Sequence, residues 1–221
     1  MQCPKCAAEV KLEDKFCSSC ATPLNSEQPG ELPDGPISGG EHRQVTALFA
    51  DVVDSTPLAE KIGEEAWFSL MQTVIGEMTK AVQDHGGMVE TLTGDGLMAL
   101  FGAPLAVEDA PLNACRTGLD ILARVKAAGE LLAAELGERP QVRIGVNTGH
   151  AVVGSLGTEL QQEVAALGDS VNVAARLEGL AEPNTMVIGE ATYLLVKDDC
   201  ATRSMDFRLS ADQSSWHFQL M

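Results

Sequence analysis

Residues 88–101 read M-V-E-T-L-T-G-D-G-L-M-A-L-F. Apolar residues dominate Met88–Leu92 and Leu97–Phe101, and the residues between them, Thr93–Gly96, carry two glycines and an aspartate. Apolar runs on both sides of such a turn indicate a β-hairpin. The segment therefore predicts two antiparallel strands with Asp95 in the turn that joins them.

The elements around this hairpin define its place in a sheet. A strand is predicted over Gln44–Phe49 and a helix over Pro57–His85, since apolar residues recur there at helical spacing up to two glycines. A second helix is predicted over Pro111–Leu136 and a further strand over Gln141–Asn147. This order is typical of an α+β domain of the ferredoxin-like, split βαβ type. We expect an antiparallel-rich sheet with its helices on one face.

The rest of the chain adds shorter elements to the same domain. In order, the pattern predicts a strand over Glu163–Leu167, a helix over Ser170–Leu180, a strand over Thr185–Ile188, a helix over Glu190–Leu195 and a final hairpin over Ser204–Met221. The main domain is accordingly placed at residues 43–221.

Four of the six cysteines lie near the N-terminus, at Cys3, Cys6, Cys17 and Cys20. Two C-x2-C pairs suit the tetrahedral thiolate coordination of Zn²⁺, so residues 1–21 are predicted to form a zinc ribbon with one structural Zn²⁺. A pair of disulfides is the alternative, which the absence of a secretion signal disfavours. Residues 22–42 are rich in Pro, Gly and acids and are predicted to be a flexible linker. The sequence does not identify a partner for the ribbon.

Composition narrows the classes of function. A formal net charge of -17 argues against a nucleic-acid surface, which needs clustered Lys and Arg. The longest mostly apolar run, Leu97–Val107, is interrupted by Gly and Pro and is shorter than the ~20 residues of a membrane-spanning helix. With no secretion signal at the start, the sequence predicts a cytoplasmic protein without membrane insertion.

Two acidic residues are candidates for a metal site. Asp51 follows the first predicted strand, and Asp95 lies in the hairpin turn. The strands that carry them are neighbours in a split βαβ sheet, so the two carboxylates should converge and suit two divalent cations that bind a triphosphate. Alternatively, Asp95 only shapes its turn and Asp51 caps the next helix.

Four segments resemble one enzyme family. They are V-T-A-L-F-A-D-V-V-D-S-T at 45–56, T-G-D-G-L-M-A-L-F-G-A-P at 93–104, V-R-I-G-V-N-T-G at 142–149 and A-L-G-D-S-V-N-V-A-A-R-L-E at 166–178. In this order and spacing they resemble the class III adenylate and guanylate cyclase catalytic domain. The resemblance implies conversion of a nucleoside triphosphate, ATP favoured and GTP possible, to a 3′,5′-cyclic nucleotide and pyrophosphate in intracellular signalling. It also implies a homodimer with active sites at the interface.

The resemblance implies roles for residues that bind metal ions and for one that binds phosphate. Asp51, Asp95 and the backbone carbonyl of Val52 would hold two Mg²⁺ or Mn²⁺ ions. Arg143 resembles the phosphate-binding arginine of the family. The glycine-rich stretch Thr148–Gly157 matches no phosphate-binding loop and is expected to form a tight hairpin at the dimer interface.

Two further residues lie on the helix predicted over Ser170–Leu180. Asn172 would orient the ribose, and Arg176 would stabilise charge on the α-phosphate during attack by the 3′-hydroxyl. Residues at i and i+4 share one helix face, which fits a joint role. The alternative for Arg176 is a surface salt bridge with Glu178 or Glu182.

The base-selecting positions depart from the family pattern. They are Thr91 and Ala165, where the family uses side chains that bind the purine; Ala165 has none that can. Glu90 is one residue from the first position, and regular strand alternation would direct it to the opposite face. We therefore expect low activity or relaxed base selectivity, and the alternative function is a catalytically weak or silent cyclase-fold module that binds nucleotide or dimerises to regulate a partner.

Overall fold

The computed structural model describes residues 41–103, 105–158, 161–167, 169–210 and 213–220. The chain divides into two units, Met1–Ser38 and Gly39–Met221. The predicted zinc ligands and nearly all of the predicted linker lie outside the described residues.

The described residues of the second unit form thirteen helices and strands. They are β1 (Glu41–Val52), α1 (Ser55–Ile62), α2 (Glu64–Asp84), β2 (Met88–Leu92), β3 (Gly96–Phe101), α3 (Ala110–Leu136), β4 (Val142–Thr158), β5 (Gln161–Leu167), α4 (Asp169–Leu180), β6 (Thr185–Gly189), α5 (Glu190–Val196), β7 (Thr202–Ser210) and β8 (Gln213–Leu220). Among the helices that the structure describes, none has the length and hydrophobicity that crossing a lipid bilayer requires.

The strands form one sheet with the order β2-β3-β1-β4-β6-β8-β7, and β5 pairs with β4. All of these pairings are antiparallel except the parallel pair β4–β6. The predicted hairpin β2–β3 is present, and β3 places it directly beside β1. The mixed, antiparallel-rich α+β sheet agrees with the sequence prediction.

The prediction that the helices cover one face is wrong. On one face, Leu48 and Ala50 of β1 pack in a core that includes residues of α2, α3 and α5. On the other face, Val45 and Ala47 share a core with Ala174 of α4. Because β1 and its neighbours are apolar on both faces, the sheet needs a helical layer on each side, and α4 supplies the second one.

The single helix predicted over Pro57–His85 is two helices. Gly63 separates α1 from α2 with a φ of 86°, a conformation that residues with a side chain rarely adopt. Apolar spacing continues across this break, so periodicity alone does not reveal it. The predicted stop after His85 is confirmed, since α2 ends at Asp84 and Gly86 has a φ of 73°.

The tight hairpin predicted at Thr148–Gly157 does not turn within this stretch, which instead leads into the β4–β5 hairpin as its first strand. This stretch continues β4, which pairs with β1 as far as Val153 and with β5 from Val152 onward. Its glycines are therefore not turn residues. A Cβ on Gly149 would lie 2.7 Å from Cβ of Ser170, so this glycine is needed for close packing of α4 on the sheet.

Candidate active site

The end of β1 and the β2–β3 turn bring two carboxylates together. Asp51 is opposite Gly96 in the β1–β3 register, and the Val52 N–H donates a 3.0 Å hydrogen bond to the carbonyl of Asp95. The Asp95 carboxylate lies close enough to Asp51 to raise the pKa of that side chain. The convergence expected from neighbouring strands is therefore present, and Val52 lies next to it.

Small neighbours make this close approach possible. A Cβ on Gly96 would lie 2.4 Å from the carbonyl oxygen of Ala50 and 2.7 Å from Oδ1 of Asp51. Only glycine leaves room for the turn against β1. The Ser55 hydroxyl, from the first residue of α1, donates a 2.7 Å hydrogen bond to Oδ2 of Asp95 and orients that carboxylate.

Arg143 only partly offsets the negative charges around Asp51. Burial, the Asp95 carboxylate and the Glu178 carboxylate raise the pKa of Asp51 to about 6, whereas Arg143 lowers it. Two hard oxygen donors that repel each other fit a divalent cation, which would neutralise them. No group of three or more His, Cys, Asp or Glu side chains suited to a metal occurs in the described part of the chain. A cation bound here would have the carboxylates of Asp51 and Asp95 as its nearest side-chain donors.

Arg143 lies beside this pair in the same chain. It is opposite Asp51 in the β1–β4 register, and its Nη2 is 3.6 Å from Oδ2 of Asp51. Its Nε is 2.6 Å from Oε1 of Glu178 on α4. The predicted phosphate-binding arginine is thus held between two carboxylates next to the candidate metal site.

Asn172 and Arg176 lie elsewhere on α4. Both are exposed, whereas Ala174 and Leu177 of the same helix are buried against the sheet. The charges that affect Asp51 do not include Arg176. Within the described residues Arg176 makes no ion pair, so the alternative of a salt bridge with Glu178 or Glu182 is absent. One chain therefore does not bring these two residues to its own aspartate pair.

The base-selecting positions lie on two different strands. Thr91 is an exposed residue of β2, and Ala165 of β5 is opposite Gly154 of β4 in the register. The β2–β3 register shifts between Val89 and Thr91, so Glu90 is the extra residue of a β-bulge. The Thr91 hydroxyl donates a hydrogen bond to the Glu90 carboxylate. The expectation that regular alternation separates these two side chains is wrong, because the bulge breaks the alternation.

An open cleft of about 370 Å³ adjoins the carboxylate pair. It is lined by Ser55, Thr56, Ala59, Trp67, Thr93, Gly94 and Asp95. A larger cleft, about 530 Å³, lies between α3 and residues 139–141 and contains none of the predicted site residues. Of the predicted site residues only Asp95 lines the smaller cleft, which therefore reaches one edge of the candidate active site.

Sequence reasoning missed three contributors to this site. Glu178 was considered only as a salt-bridge partner for Arg176, yet it binds Arg143. Ser55 has no predicted role, and its hydrogen bond to Asp95 joins residues 40 positions apart, which spacing does not reveal. The bulge at Glu90 carries no glycine or other marker in the sequence.

Comparison with known proteins identifies the family of the chain. The family model for the adenylate and guanylate cyclase catalytic domain matches residues 37–215, so the chain belongs to this family. Adenylate cyclase 1 of Rhizobium meliloti is 33% identical over 138 residues, which are 62% of this chain and 21% of that protein. The chain thus spans about a fifth of the length of this relative.

Solved cyclase structures share the fold. The adenylyl cyclase CyaB from P. aeruginosa has a TM-score of 0.77 and 26% identity, with 82% of this chain and 95% of that chain covered. The guanylyl cyclase Cya2 has a TM-score of 0.75 and 25% identity, with 82% of this chain and 93% of that chain covered. The two matched cyclases are named for different purine nucleotides, so the fold alone does not set the base.

Proposed function

We propose that this chain is a nucleotidyl cyclase that converts a nucleoside triphosphate to a 3′,5′-cyclic nucleotide and pyrophosphate. The observation that carries the proposal is the convergence of Asp51 and Asp95 at the end of β1, where Asp51 is opposite Gly96 and the Val52 N–H binds the Asp95 carbonyl, in a chain of the cyclase family. Asp51, Asp95 and the carbonyl of Val52 would hold two Mg²⁺ or Mn²⁺ ions. When bound, such ions neutralise the triphosphate and favour ionisation of the attacking hydroxyl.

The reaction forms one P–O bond and breaks another. The ribose 3′-oxygen attacks the α-phosphorus, its proton leaves to solvent or a neighbouring base, and the bond to pyrophosphate breaks with the electron pair on the leaving oxygen. Arg143, whose Nη2 lies 3.6 Å from Oδ2 of Asp51, would bind phosphate oxygens through its Nη groups. Asn172 would orient the ribose, and Arg176 would stabilise the charge that develops on the α-phosphate.

A homodimer completes this site. Asn172 and Arg176 are exposed on α4, and Arg176 is not among the charges that affect Asp51 of its own chain. In the proposed dimer, α4 of one protomer supplies these two side chains to the aspartate pair of its partner. Each of the two sites then contains residues of both chains.

The family resemblance favours ATP as the substrate. GTP is a second candidate, which one observation favours. The bulge in β2 puts the Glu90 carboxylate in contact with Thr91, one of the two base-selecting positions. A carboxylate accepts hydrogen bonds from the N1–H and N2–H₂ groups of guanine, whereas N1 of adenine is itself an acceptor. The absence of a binding side chain at Ala165 limits selectivity for either base.

The test is product identification by mass spectrometry after incubation with equimolar ATP and GTP and Mn²⁺. We expect a cyclic nucleotide from the wild-type chain and a loss of roughly a hundredfold or more in Asp51→Asn, because a metal ligand is removed. Asp54→Asn is the matched control, since Asp54 is exposed, has a φ of 51° that Asn tolerates, and makes no side-chain cap. Equal background rates in wild type and Asp51→Asn would instead indicate the silent module.

A further inference from the structure

Glu178 is a partly buried acidic residue that none of the proposed catalytic steps uses. Its side chain is 15% exposed, and its Oε1 lies 2.6 Å from Nε of Arg143. Both atoms are fully buried and neither makes a hydrogen bond of good geometry, so the contact is an ion pair. Removing such a pair from water costs desolvation free energy, so a contribution to stability does not by itself explain why the pair is present.

The close packing of α4 on β4 brings Glu178 to Arg143. A Cβ on Gly145 would lie 2.2 Å from the backbone nitrogen of Glu178 and 2.3 Å from the carbonyl oxygen of Ala174. The helix thus lies directly on β4, and Arg143 is two residues from Gly145 on the same face of that strand. Glu178 consequently meets Arg143 from above the sheet, while Asp51 meets it from the neighbouring strand.

The two carboxylates engage different parts of the guanidinium. Glu178 is at 2.6 Å from Nε, whereas Asp51 is at 3.6 Å from Nη2, beyond a direct hydrogen bond. Arg143 is thereby kept close to the aspartate pair without occupying the Asp51 oxygen. The Nη groups keep donor capacity for an anion, and the Asp51 carboxylate keeps acceptor capacity for a cation.

We propose that Glu178 is a positioning residue, which holds Arg143 by its Nε edge so that the guanidinium binds phosphate instead of pairing with Asp51. This inference rests on the proposed function of the site. Without the Glu178 charge, the guanidinium would turn to Asp51 and compete with the divalent cation for it. Glu178 therefore acts on both the metal and the phosphate, though it touches neither.

The experiment compares Glu178→Gln with wild type by calorimetric titration of Mn²⁺ and, separately, of pyrophosphate with Mn²⁺ present. We expect about tenfold weaker Mn²⁺ binding and a similar loss for pyrophosphate, the scale found when a residue that orients a metal site is changed. The matched control is Glu182→Gln, which removes the same charge from an exposed position just after α4. This control should bind both like wild type.

A double variant separates positioning from a purely structural role. If Glu178 acts through Arg143, then Glu178→Gln should cause no further loss of Mn²⁺ affinity in an Arg143→Ala background. An additional loss there, or wild-type Mn²⁺ binding by Glu178→Gln, would overturn the inference. If Glu178→Gln does not fold, Glu178→Asp is used, since a shorter carboxylate keeps the charge and should give a smaller loss of the same kind.

The readouts also separate this inference from the proposed function. Absence of cyclic nucleotide from the wild-type chain would refute the proposed function, yet the Mn²⁺ titrations would still decide the role of Glu178. Conversely, an active wild type whose Glu178→Gln variant binds Mn²⁺ and pyrophosphate normally would refute only the positioning role.

Discussion

Asp51 connects the stability of the domain to pH. Its pKa is raised from 3.8 to about 6 by burial and by the Asp95 and Glu178 carboxylates. Between these values the folded chain binds more protons than the unfolded chain, so the metal-free protein loses stability as pH rises through this window. We expect the free energy of unfolding, relative to Asp51→Asn, to fall by on the order of 1 to 2 kcal/mol from pH 3.8 to 6.5, because solvent at this half-buried carboxyl screens part of the effect. Urea denaturation at several pH values without divalent ions measures this; a pH-independent difference between the two proteins would contradict it.

The same carboxylate makes metal binding depend on pH in the opposite sense. A cation requires ionised Asp51, so protons compete with Mn²⁺ below the pKa of about 6. We expect the Mn²⁺ affinity of wild type to fall about tenfold per pH unit below 6 and to change little above 7. Calorimetry at pH 5 and 7.5 tests this. Asp54→Asn should retain the dependence, and Asp51→Asn should bind weakly at both pH values.

At the scale of elements, the contact between α4 and β4 depends on one glycine. Gly145→Ala would place a Cβ against backbone atoms of α4, which cannot move without the helix. We expect a loss of about 2 kcal/mol or more in the free energy of unfolding and a large loss of activity, since α4 carries Asn172, Arg176 and Glu178. Gly76→Ala is the control because open space surrounds this glycine inside α2. It should gain roughly 0.5–1 kcal/mol in the same denaturation experiment.

The elements that sequence predicts well are those whose signal is local. The β2–β3 hairpin has its turn residues between apolar runs, so it and the position of Asp95 follow from the sequence. The side of the sheet on which α4 packs does not follow from the sequence. The apolar spacing of residues 170–180 predicts a helix but would suit either face of the sheet. Gly145 and Gly149 make room for α4. A glycine in a strand indicates that another element packs closely there, but it does not identify that element.

The missed parts of the site have the same physical origin. The bulge at Glu90 is an outcome of pairing between β2 and β3, and no residue type in 88–92 requires it. The ion pair of Arg143 and Glu178 joins residues 35 positions apart on different elements, so spacing cannot predict it. Sequence therefore placed the aspartate pair, which lies on adjacent strands, and missed the residues that packing brings to it.

At the scale of the whole chain, the N-terminal cysteines make a separate prediction. The spacing of Cys3, Cys6, Cys17 and Cys20 predicts one Zn²⁺ per chain. We expect elemental analysis of the purified full chain to give about one zinc per chain, and a Cys3→Ser, Cys17→Ser double variant to lose it. Cys115→Ser is the control, since Cys115 is a free thiol buried in the core. Zinc retained after loss of both N-terminal cysteines would place the ion elsewhere.

The strongest test of the assembled molecule combines two inactive variants. Asp51→Asn removes a metal ligand and Arg176→Ala removes a proposed contact to the α-phosphate, so each homodimer should be inactive. Random exchange of equal amounts gives about half heterodimers, and in each of these one of the two sites has both Asp51 and Arg176 intact. The mixture should therefore recover about one quarter of wild-type cyclase activity after subunit exchange. If Arg176 instead acted on the aspartate pair of its own chain, every site in the mixture would lack one of the two groups and no activity would return. Mixing Asp51→Asn with Asp95→Asn is the control: both changes fall on the same side of the site, so this pair should stay inactive in either arrangement.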